Sequence, residues 1–227
     1  LDFSCAIFDG AGRLVANAPH MPVHLGSMGE SVRTILRQRS GADGRPADGR
    51  GIKRGDAYAL NAPYDGGTHL PDITVIMPVF VDDETPSFFV AARGHHADLG
   101  GIAPGSMPPG SSSIDQEGIL FDNRLIVDDG NFLDAEVHAH LTTGPFPARN
   151  PALNIADLKA QVAACQRGAS ALADLSAAHG AAAVAAYMAH GQAQAETAVR
   201  QLIARLSDGQ FRYAMDNGAE VAVAVRV

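Results

Sequence analysis

One apolar run dominates the sequence: Asp72-Ile73-Thr74-Val75-Ile76-Met77-Pro78-Val79-Phe80-Val81. A nearly unbroken apolar stretch of this kind is typical of a β-strand that is buried on both faces. A second run at Ser87–Arg93 follows an acidic turn, which predicts that the two strands are neighbours. Working outward, a short strand is expected at Ala57–Asn61. An N-terminal hairpin is expected where Ser4–Phe8 and Arg13–Ala16 flank a Gly-containing turn.

The composition of the chain changes near residue 150. Residues 1–150 hold 12 of the 13 prolines and 19 of the 24 glycines, whereas residues 151–227 are rich in alanine. Because Pro and Gly punctuate strands and loops while Ala favours helix, we predict a β-rich region with catalytic loops at 1–150 and a helical region at 151–227. The predicted fold class is α+β: a mixed β-sheet with long Gly/Pro-rich loops, followed by an antiparallel helical hairpin and a return strand at Phe211–Met215.

Two helices are predicted in the second region. Apolar residues recur every three or four positions from Ile155 to Leu175, which indicates an amphipathic helix. We expect Asn154 and Asp157 to cap its beginning and Gly180 to end it. A heptad-like seam from Val184 to Leu202 predicts the second helix of the hairpin.

Charge, hydropathy and cysteine content exclude several classes of protein. The formal net charge of −8 argues against non-specific binding of nucleic acid, and no apolar run is long enough to span a membrane. Two cysteines do not make a disulfide framework, so the cytoplasm is the expected compartment. The sequence begins at Leu1 without Met and ends in a strand-like alternation at Glu220–Val227, from which we expect a fragment of a longer protein.

Three Gly- and Pro-rich loop segments carry five of the nine histidines: His20 and His24, then His69, then His95 with His96. If paired strands bring the second and third segments to one edge of a sheet, His69 and Asp72 join His95 or His96 in a set of two histidines and one carboxylate. Such a set leaves coordination positions open, as catalytic metal sites require.

Two further carboxylates, Asp65 and Asp98, lie in the same segments as candidates for a general base or for orienting the imidazoles. The alternative is that these histidines are ordinary hydrogen-bonded loop residues and that the glycines around them only form turns. The sequence has no Gly-x-Ser-x-Gly elbow, no P-loop and no dinucleotide fingerprint, so those chemistries are not supported.

Long ordered blocks of the sequence resemble the hydantoinase B/oxoprolinase family. The blocks are Leu1–Asp9, His20–Met28, Asn61–Asp72, Arg93–Gly101 and Asn154–Gln161. The resemblance implies a B-type subunit of an ATP-dependent enzyme that opens cyclic amides such as hydantoins or 5-oxoproline. Related members belong to acetone and acetophenone carboxylases. It also implies a hetero-oligomer in which a hydantoinase A-type partner subunit carries ATP and Mg and phosphorylates the substrate.

The resemblance also implies a divalent metal, Mn or Zn, in this subunit. The carboxylase relatives are similar in having a His-x-x-Asp pair and a further His. Here His69 and Asp72 match the pair, and His95 or His96 matches the third ligand, with His95 favoured. Because the family's subunits are much longer than this chain, we expect the isolated piece to be inactive.

Three hypotheses follow. In the first, the chain belongs to a cyclic-amide hydrolase, whose metal polarises the phosphorylated intermediate or activates water. In the second, it belongs to a ketone carboxylase, whose metal stabilises an enolate. In the third, it is a non-catalytic piece that docks the A-type subunit, which loops scattered more than about 10 Å apart would favour. For the enzymatic hypotheses the assigned residues are as follows: metal ligands His69, Asp72 and His95; base or supporting groups Asp65, His96 and Asp98; substrate-orienting groups His20 and His24.

Overall fold

The computed structural model describes residues 2–18, 21–39, 49–81 and 84–227, and the predicted substrate-orienting residue His20 lies outside them. The strands are β1 (Phe3–Asp9), β2 (Leu14–Asn17), β3 (Ala57–Leu60), β4 (Asp72–Val79), β5 (Phe88–His95), β6 (Arg124–Asp128), β7 (Asn131–Phe132), β8 (Gly209–Ala214) and β9 (Glu220–Val225). The helices are α1 (Met28–Arg39), α2 (Asp134–Thr142), α3 (Pro151–His179) and α4 (Ala181–Ile203).

Seven strands form one sheet in the order β2-β1-β5-β4-β3-β6-β7. Strands β4 and β5 lie near its centre and pair from Asp72 opposite His95 to Val79 opposite Phe88. Every residue of β4 is buried, which confirms the strand predicted from the apolar run. Strand β1 pairs with the other side of β5, and β2 pairs with β1, so the predicted N-terminal hairpin is also confirmed.

Helices α1 and α3 contact opposite faces of this sheet. Arg93 of β5 donates hydrogen bonds to Thr74 of β4 and to Ser31 of α1. The side chains of Arg93 and Thr74 therefore lie on the α1 face of the sheet. The intervening carbonyls of Ile73 and Ala92 accept hydrogen bonds from Gln161 of α3. On the α1 face an apolar core is formed by Ala6, Phe8, Met28, Val32, Ile35, Tyr58, Leu60, Ile76, Phe89 and Ala91. Because alternate residues of a strand point to opposite faces, each side of the sheet has its own set of functional groups.

Helix α3 begins at Pro151, before the predicted cap. Asn150 is the N-cap, because its side-chain oxygen accepts a hydrogen bond from the Leu153 amide, and proline suits the first turn that follows. The prediction that Asn154 caps the helix is therefore wrong, since Asn154 lies within the first turns and its side chain bonds elsewhere. Gly180 ends the helix with a φ of 84°, as predicted.

The chain forms two compact units, Leu1–Ala185 and Ala186–Val227. The first contains the seven-stranded sheet with α1, α2 and α3. In the second, β8 and β9 pair as a two-stranded antiparallel sheet. The predicted division of the chain at residue 150 stays a prediction.

The predicted α+β class is confirmed, and the two predicted helices are present as α3 and, after Gly180, α4. Within the class, every described pairing of the seven-stranded sheet is antiparallel, where a mixed sheet was expected. Four of the six pairings join strands that follow each other in the chain, and these pair antiparallel because a parallel pair needs a long crossover. In the part of the chain that the structure describes, no helix combines the length and apolar character needed to cross a bilayer.

Candidate metal centre

Two histidines and one aspartate meet where β4 begins and β5 ends. Asp72 is the first residue of β4 and His95 is the last residue of β5, and the antiparallel register places them directly opposite each other. Side chains at opposite positions share one face of a sheet. His69 precedes Asp72 in a tight turn, in which the Asp72 amide donates to the His69 carbonyl at 3.1 Å. The predicted metal ligands His69, Asp72 and His95 are thus brought together by sheet register and one turn.

The spacing of these donor atoms suits a single metal ion. The Nδ1 atom of His95 lies 3.2 Å from Asp72 Oδ1, and the Nδ1 atom of His69 lies 3.3 Å from Asp72 Oδ2. One donor atom from each of the three residues can be chosen so that all lie within 4.8 Å of one another. Ligands held about 2.1 Å from an ion at tetrahedral angles stand roughly 3.4 Å apart. The residues present therefore fit a divalent ion with nitrogen and oxygen ligands.

His24 adds a third imidazole to this cluster. Its Nε2 atom lies 3.4 Å from Asp72 Oδ2 and 3.7 Å from Asp2 Oδ1, while its Nδ1 atom is 2.9 Å from the Ser4 hydroxyl. The His24 residue is 2% exposed, so its ring is fixed by these contacts. The substrate-orienting role predicted for His24 stays a prediction, and its contacts favour a role in orienting the carboxylates of Asp2 and Asp72.

Asp2 is a site residue that sequence analysis missed. Its carboxylate lies 4.0 Å from His95 Nδ1, and its carbonyl accepts a hydrogen bond from the His95 amide at 3.0 Å. Asp2 immediately precedes β1, so it reaches the cluster only because β1 pairs with β5. Thr68 was also missed, and its hydroxyl donates to Asp72 Oδ2 at 3.2 Å. The pairing of β1 with β5 is the signal that would have revealed Asp2.

His96 lies apart from the cluster, in a network that ties α3 to the sheet. Its Nε2 atom is 3.1 Å from Gln161 Oε1, and its Nδ1 atom is 3.2 Å from Asn154 Nδ2. Gln161 must present its oxygen to His96, because its Nε2 group donates to the carbonyls of Ile73 and Ala92. His96 therefore carries its proton on Nε2 and accepts from Asn154 on Nδ1.

Both ring nitrogens of His96 are thus engaged, and burial lowers the pKa of this imidazole below its ordinary value of 6.5. A neutral, buried imidazole with both nitrogens bonded is suited to holding structure together. Of the two adjacent candidates, His95 is consequently the one whose ring faces the cluster. The catalytic role predicted for His96 stays a prediction, and its contacts favour a supporting role.

The two predicted carboxylates Asp65 and Asp98 each have other partners. Asp65 accepts hydrogen bonds from Arg37 at 2.5 Å and from Gln38, both on α1. Asp98 accepts from the Gly100 amide at 2.9 Å and from Arg149 Nη1 at 2.8 Å. Burial alone would raise the pKa of Asp98, but these hydrogen bonds outweigh it and hold the pKa below 3.8. Both predicted roles as general base stay predictions, and these contacts favour loop-organising roles.

Arg93 is a buried cation on the same face of β5 as His95. Its Nε donates to Thr74 Oγ1 at 2.8 Å, and its two Nη groups donate to the hydroxyls of Ser27 and Ser31. Burial lowers the pKa of Arg93, and the negative charge of Asp72 opposes that shift. Since the direct partners of Arg93 are neutral hydroxyls, Asp72 supplies part of the charge that a buried guanidinium requires. The cluster and the core are therefore electrostatically coupled.

Known proteins resemble this chain in sequence. The sequence matches the Hydantoinase B/oxoprolinase family profile over residues 1–227. It is 46% identical over 211 residues to 5-oxoprolinase 1 of Arabidopsis thaliana, covering 89% of this chain and 16% of that protein. It is 42% identical over 212 residues to 5-oxoprolinase of Saccharomyces cerevisiae, covering 91% of this chain and 16% of that protein.

Two solved structures share the fold. The ATP-dependent caprolactamase from Pseudomonas jessenii is 25% identical with a TM-score of 0.81, over 99% of this chain and 38% of that one. A nucleotide-free acetone carboxylase is 19% identical with a TM-score of 0.78, over 98% of this chain and 30% of that one.

Fold and site together describe an α+β chain in which His69, Asp72 and His95 could hold a metal ion. The chain belongs to the hydantoinase B/oxoprolinase family, which confirms the resemblance noted in the sequence. It spans about 16% of the length of the 5-oxoprolinases that it matches.

Proposed function

We propose that the full-length protein containing this chain opens a cyclic amide with the use of ATP and that this chain supplies its metal centre. The observation that carries the proposal is the convergence of His69, Asp72 and His95, with donor atoms within 4.8 Å of one another. Relatives described as 5-oxoprolinases and an ATP-dependent caprolactamase support the reaction class. An A-type subunit or domain that binds ATP and Mg is the proposed partner, and the cytoplasm is the proposed compartment.

The residues around the candidate metal centre have different proposed roles. We assign His69, Asp72 and His95 as ligands of Mn or Zn and Asp2 as an additional carboxylate for the same ion. His24 holds Asp2 and Asp72 in place, because its Nε2 atom lies within 3.7 Å of both and Ser4 fixes its other nitrogen. A divalent ion bound here would polarise the carbonyl-derived oxygen of the substrate as a Lewis acid.

Two alternatives are weighed against this proposal. The non-catalytic docking hypothesis needs no convergence of the histidine loops, yet His69 and His95 stand with ring centroids 5.1 Å apart. The ketone carboxylase hypothesis shares the same site, and the acetone carboxylase likeness bears on the fold alone. Comparing ATP use with 5-oxoproline, a hydantoin, and acetone plus bicarbonate separates the two reactions.

The test is a metal analysis of the purified full-length protein with its partner. We expect one equivalent of Mn or Zn per copy, lost in His69→Ala together with turnover, because a three-residue site is incomplete without one ligand. His138→Ala is the matched control, since His138 is an exposed histidine on α2 away from the cluster. A His69→Ala protein with full metal content and full turnover would show that the site is assigned wrongly.

A further inference from the structure

A cavity of about 490 Å³ lies between the beginning of β1, the end of β5 and the first half of α3. It is on the face of the sheet that α3 covers, because Phe3 and Cys5 of β1 and Ala160 and Ala164 of α3 line it. Two residues of the cavity wall, Asp2 and His95, also belong to the candidate metal centre. The cavity therefore reaches the strand ends that carry Asp2 and His95 from the α3 face of the sheet, and its volume lies in the range that holds a small organic molecule.

The wall of the cavity is largely apolar. Ala160 and Ala164 are small, so α3 leaves space above β1 that larger residues would fill. Phe3 remains 39% exposed, which is more than a core phenylalanine shows. Burial raises the pKa of the Cys5 thiol, so Cys5 presents a neutral group at physiological pH. An apolar wall of this kind suits the methylene groups of a small ring.

One carboxylate in the wall, that of the partly exposed Asp157, makes no hydrogen bond among the described residues, although its charge acts on His96. Among the described residues, Asp157 makes no hydrogen bond or ion pair, whereas the neighbouring His96 and Gln161 bond to each other. Arg93 contributes to the wall, but its guanidinium donates to Ser31 and other hydroxyls on the α1 face. The cavity thus offers a hydrogen-bond acceptor without a cation, and an acceptor-only group selects a ligand that donates an N–H.

We propose that this cavity binds the ring of a cyclic amide, with the ring N–H donated to the Asp157 carboxylate and the ring methylenes packed against Phe3, Ala160 and Ala164. The proposal rests on the proposed function, and it adds a substrate subsite that is separate from the metal ligands. Bound in this way, the ring lies on the α3 face of the sheet, at the strand ends that carry Asp2 and His95.

The test measures binding of 2-pyrrolidone and N-methyl-2-pyrrolidone to the full-length protein by saturation-transfer NMR. We expect the N–H lactam to bind at least about tenfold more tightly than its N-methyl derivative, since a hydrogen bond to a charged acceptor is lost on methylation. Asp157→Leu, which leaves no acceptor, should remove most of that preference. Asp174→Leu, at an exposed aspartate on the same helix, is the control and should retain it.

A second pair of variants tests the shape of the cavity. Ala164→Leu fills the space and should weaken 2-pyrrolidone binding at least about tenfold, whereas Ala163→Leu on the neighbouring exposed position should leave it unchanged. Both alanines are exposed, so neither leucine disturbs the core.

Three results would overturn the proposal: no lactam binding by the wild-type protein, equal binding by Ala164→Leu and Ala163→Leu, or loss of partner association in Ala164→Leu with lactam binding intact. The last result would make the cavity a protein-docking surface. The proposed function is tested independently of this cavity, because it depends on the metal content and turnover of His69→Ala and not on these binding measurements.

Discussion

Replacing Gln161 with leucine tests whether α3 holds the metal-centre loop in place. The Gln161 side chain donates to the carbonyl of Ile73 at 2.8 Å and to that of Ala92 at 3.0 Å, and it faces His96 Nε2 at 3.1 Å. Leucine has a similar volume but none of these groups. His96 then keeps a buried N–H without an acceptor, next to the proposed ligand His95.

The expected cost follows from these three hydrogen bonds. A buried donor without a partner costs about 1–3 kcal/mol, and each lost bond to a backbone carbonyl costs about 1 kcal/mol, partly offset by apolar packing of the leucine. We therefore expect the local opening free energy to fall by about 3 kcal/mol, which corresponds to roughly a hundredfold loss of protection. Metal affinity should fall at least about tenfold, as is usual when supporting contacts of a ligand are removed.

Hydrogen exchange measured by mass spectrometry on the full-length protein reads this effect directly. The reporter is the His96 amide, which donates to the Pro71 carbonyl at 2.8 Å. Gln166→Leu is the matched control, because Gln166 is an exposed glutamine on the same helix. If Gln161→Leu and Gln166→Leu exchange this amide at the same rate and bind metal equally well, α3 does not hold the loop and the reasoning fails.

Two further predictions concern the loops around the site. The pKa of Asp98 is lower in the folded protein than its ordinary value of 3.8, so the ionised carboxylate stabilises the fold above that value and this effect is lost as the pH falls through the folded pKa. Because Arg149 bonds to Asp98, acid unfolding of Arg149→Met should begin at higher pH than that of wild type. Identical acid transitions of the two proteins would contradict this. Gly67→Ala places a Cβ 2.4 Å from the Asn61 carbonyl group, so the loop carrying His69 must shift and metal binding should weaken at least about tenfold. Gly110→Ala is the control and should bind metal like wild type, because open space surrounds Gly110.

The local pattern of apolar residues was enough to predict the central strands and the two long helices. The apolar run of β4 is continuous because both faces of that strand are covered, and such runs are visible in one sequence. Strands β6 and β7 and helix α2 were not predicted. Helix α2 buries only Val137 and Leu141, so its apolar face is too narrow to stand out, and β7 is only two residues long. Their positions are set by contacts with distant parts of the chain.

The pair His95 and His96 shows which part of the site depends on strand register and cannot be predicted from the sequence. The spacing of the sequence suggested both residues as partners of Asp72 and could not choose between them. Adjacent residues of a strand point to opposite faces, so only one of the two can share the face of Asp72. The register of β4 against β5 selects His95, and the pairing of β1 with β5 adds Asp2. Both facts are non-local, and a single sequence carries no signal for them.

The same alternation gives the two faces of the sheet different tasks. Arg93, His24 and the ligand carboxylates meet on the α1 side, whereas His96, Gln161 and the cavity lie on the α3 side. A single peptide bond joins His95 to His96, so the network that α3 makes with His96 fixes the backbone from which His95 reaches the metal centre. A change in α3 that displaces His96 should therefore move the proposed ligand His95 on the other face, although α3 itself contributes none of the proposed ligands. For this reason substitutions at Gln161 should alter metal affinity, whereas substitutions at Asp157 should alter lactam binding alone.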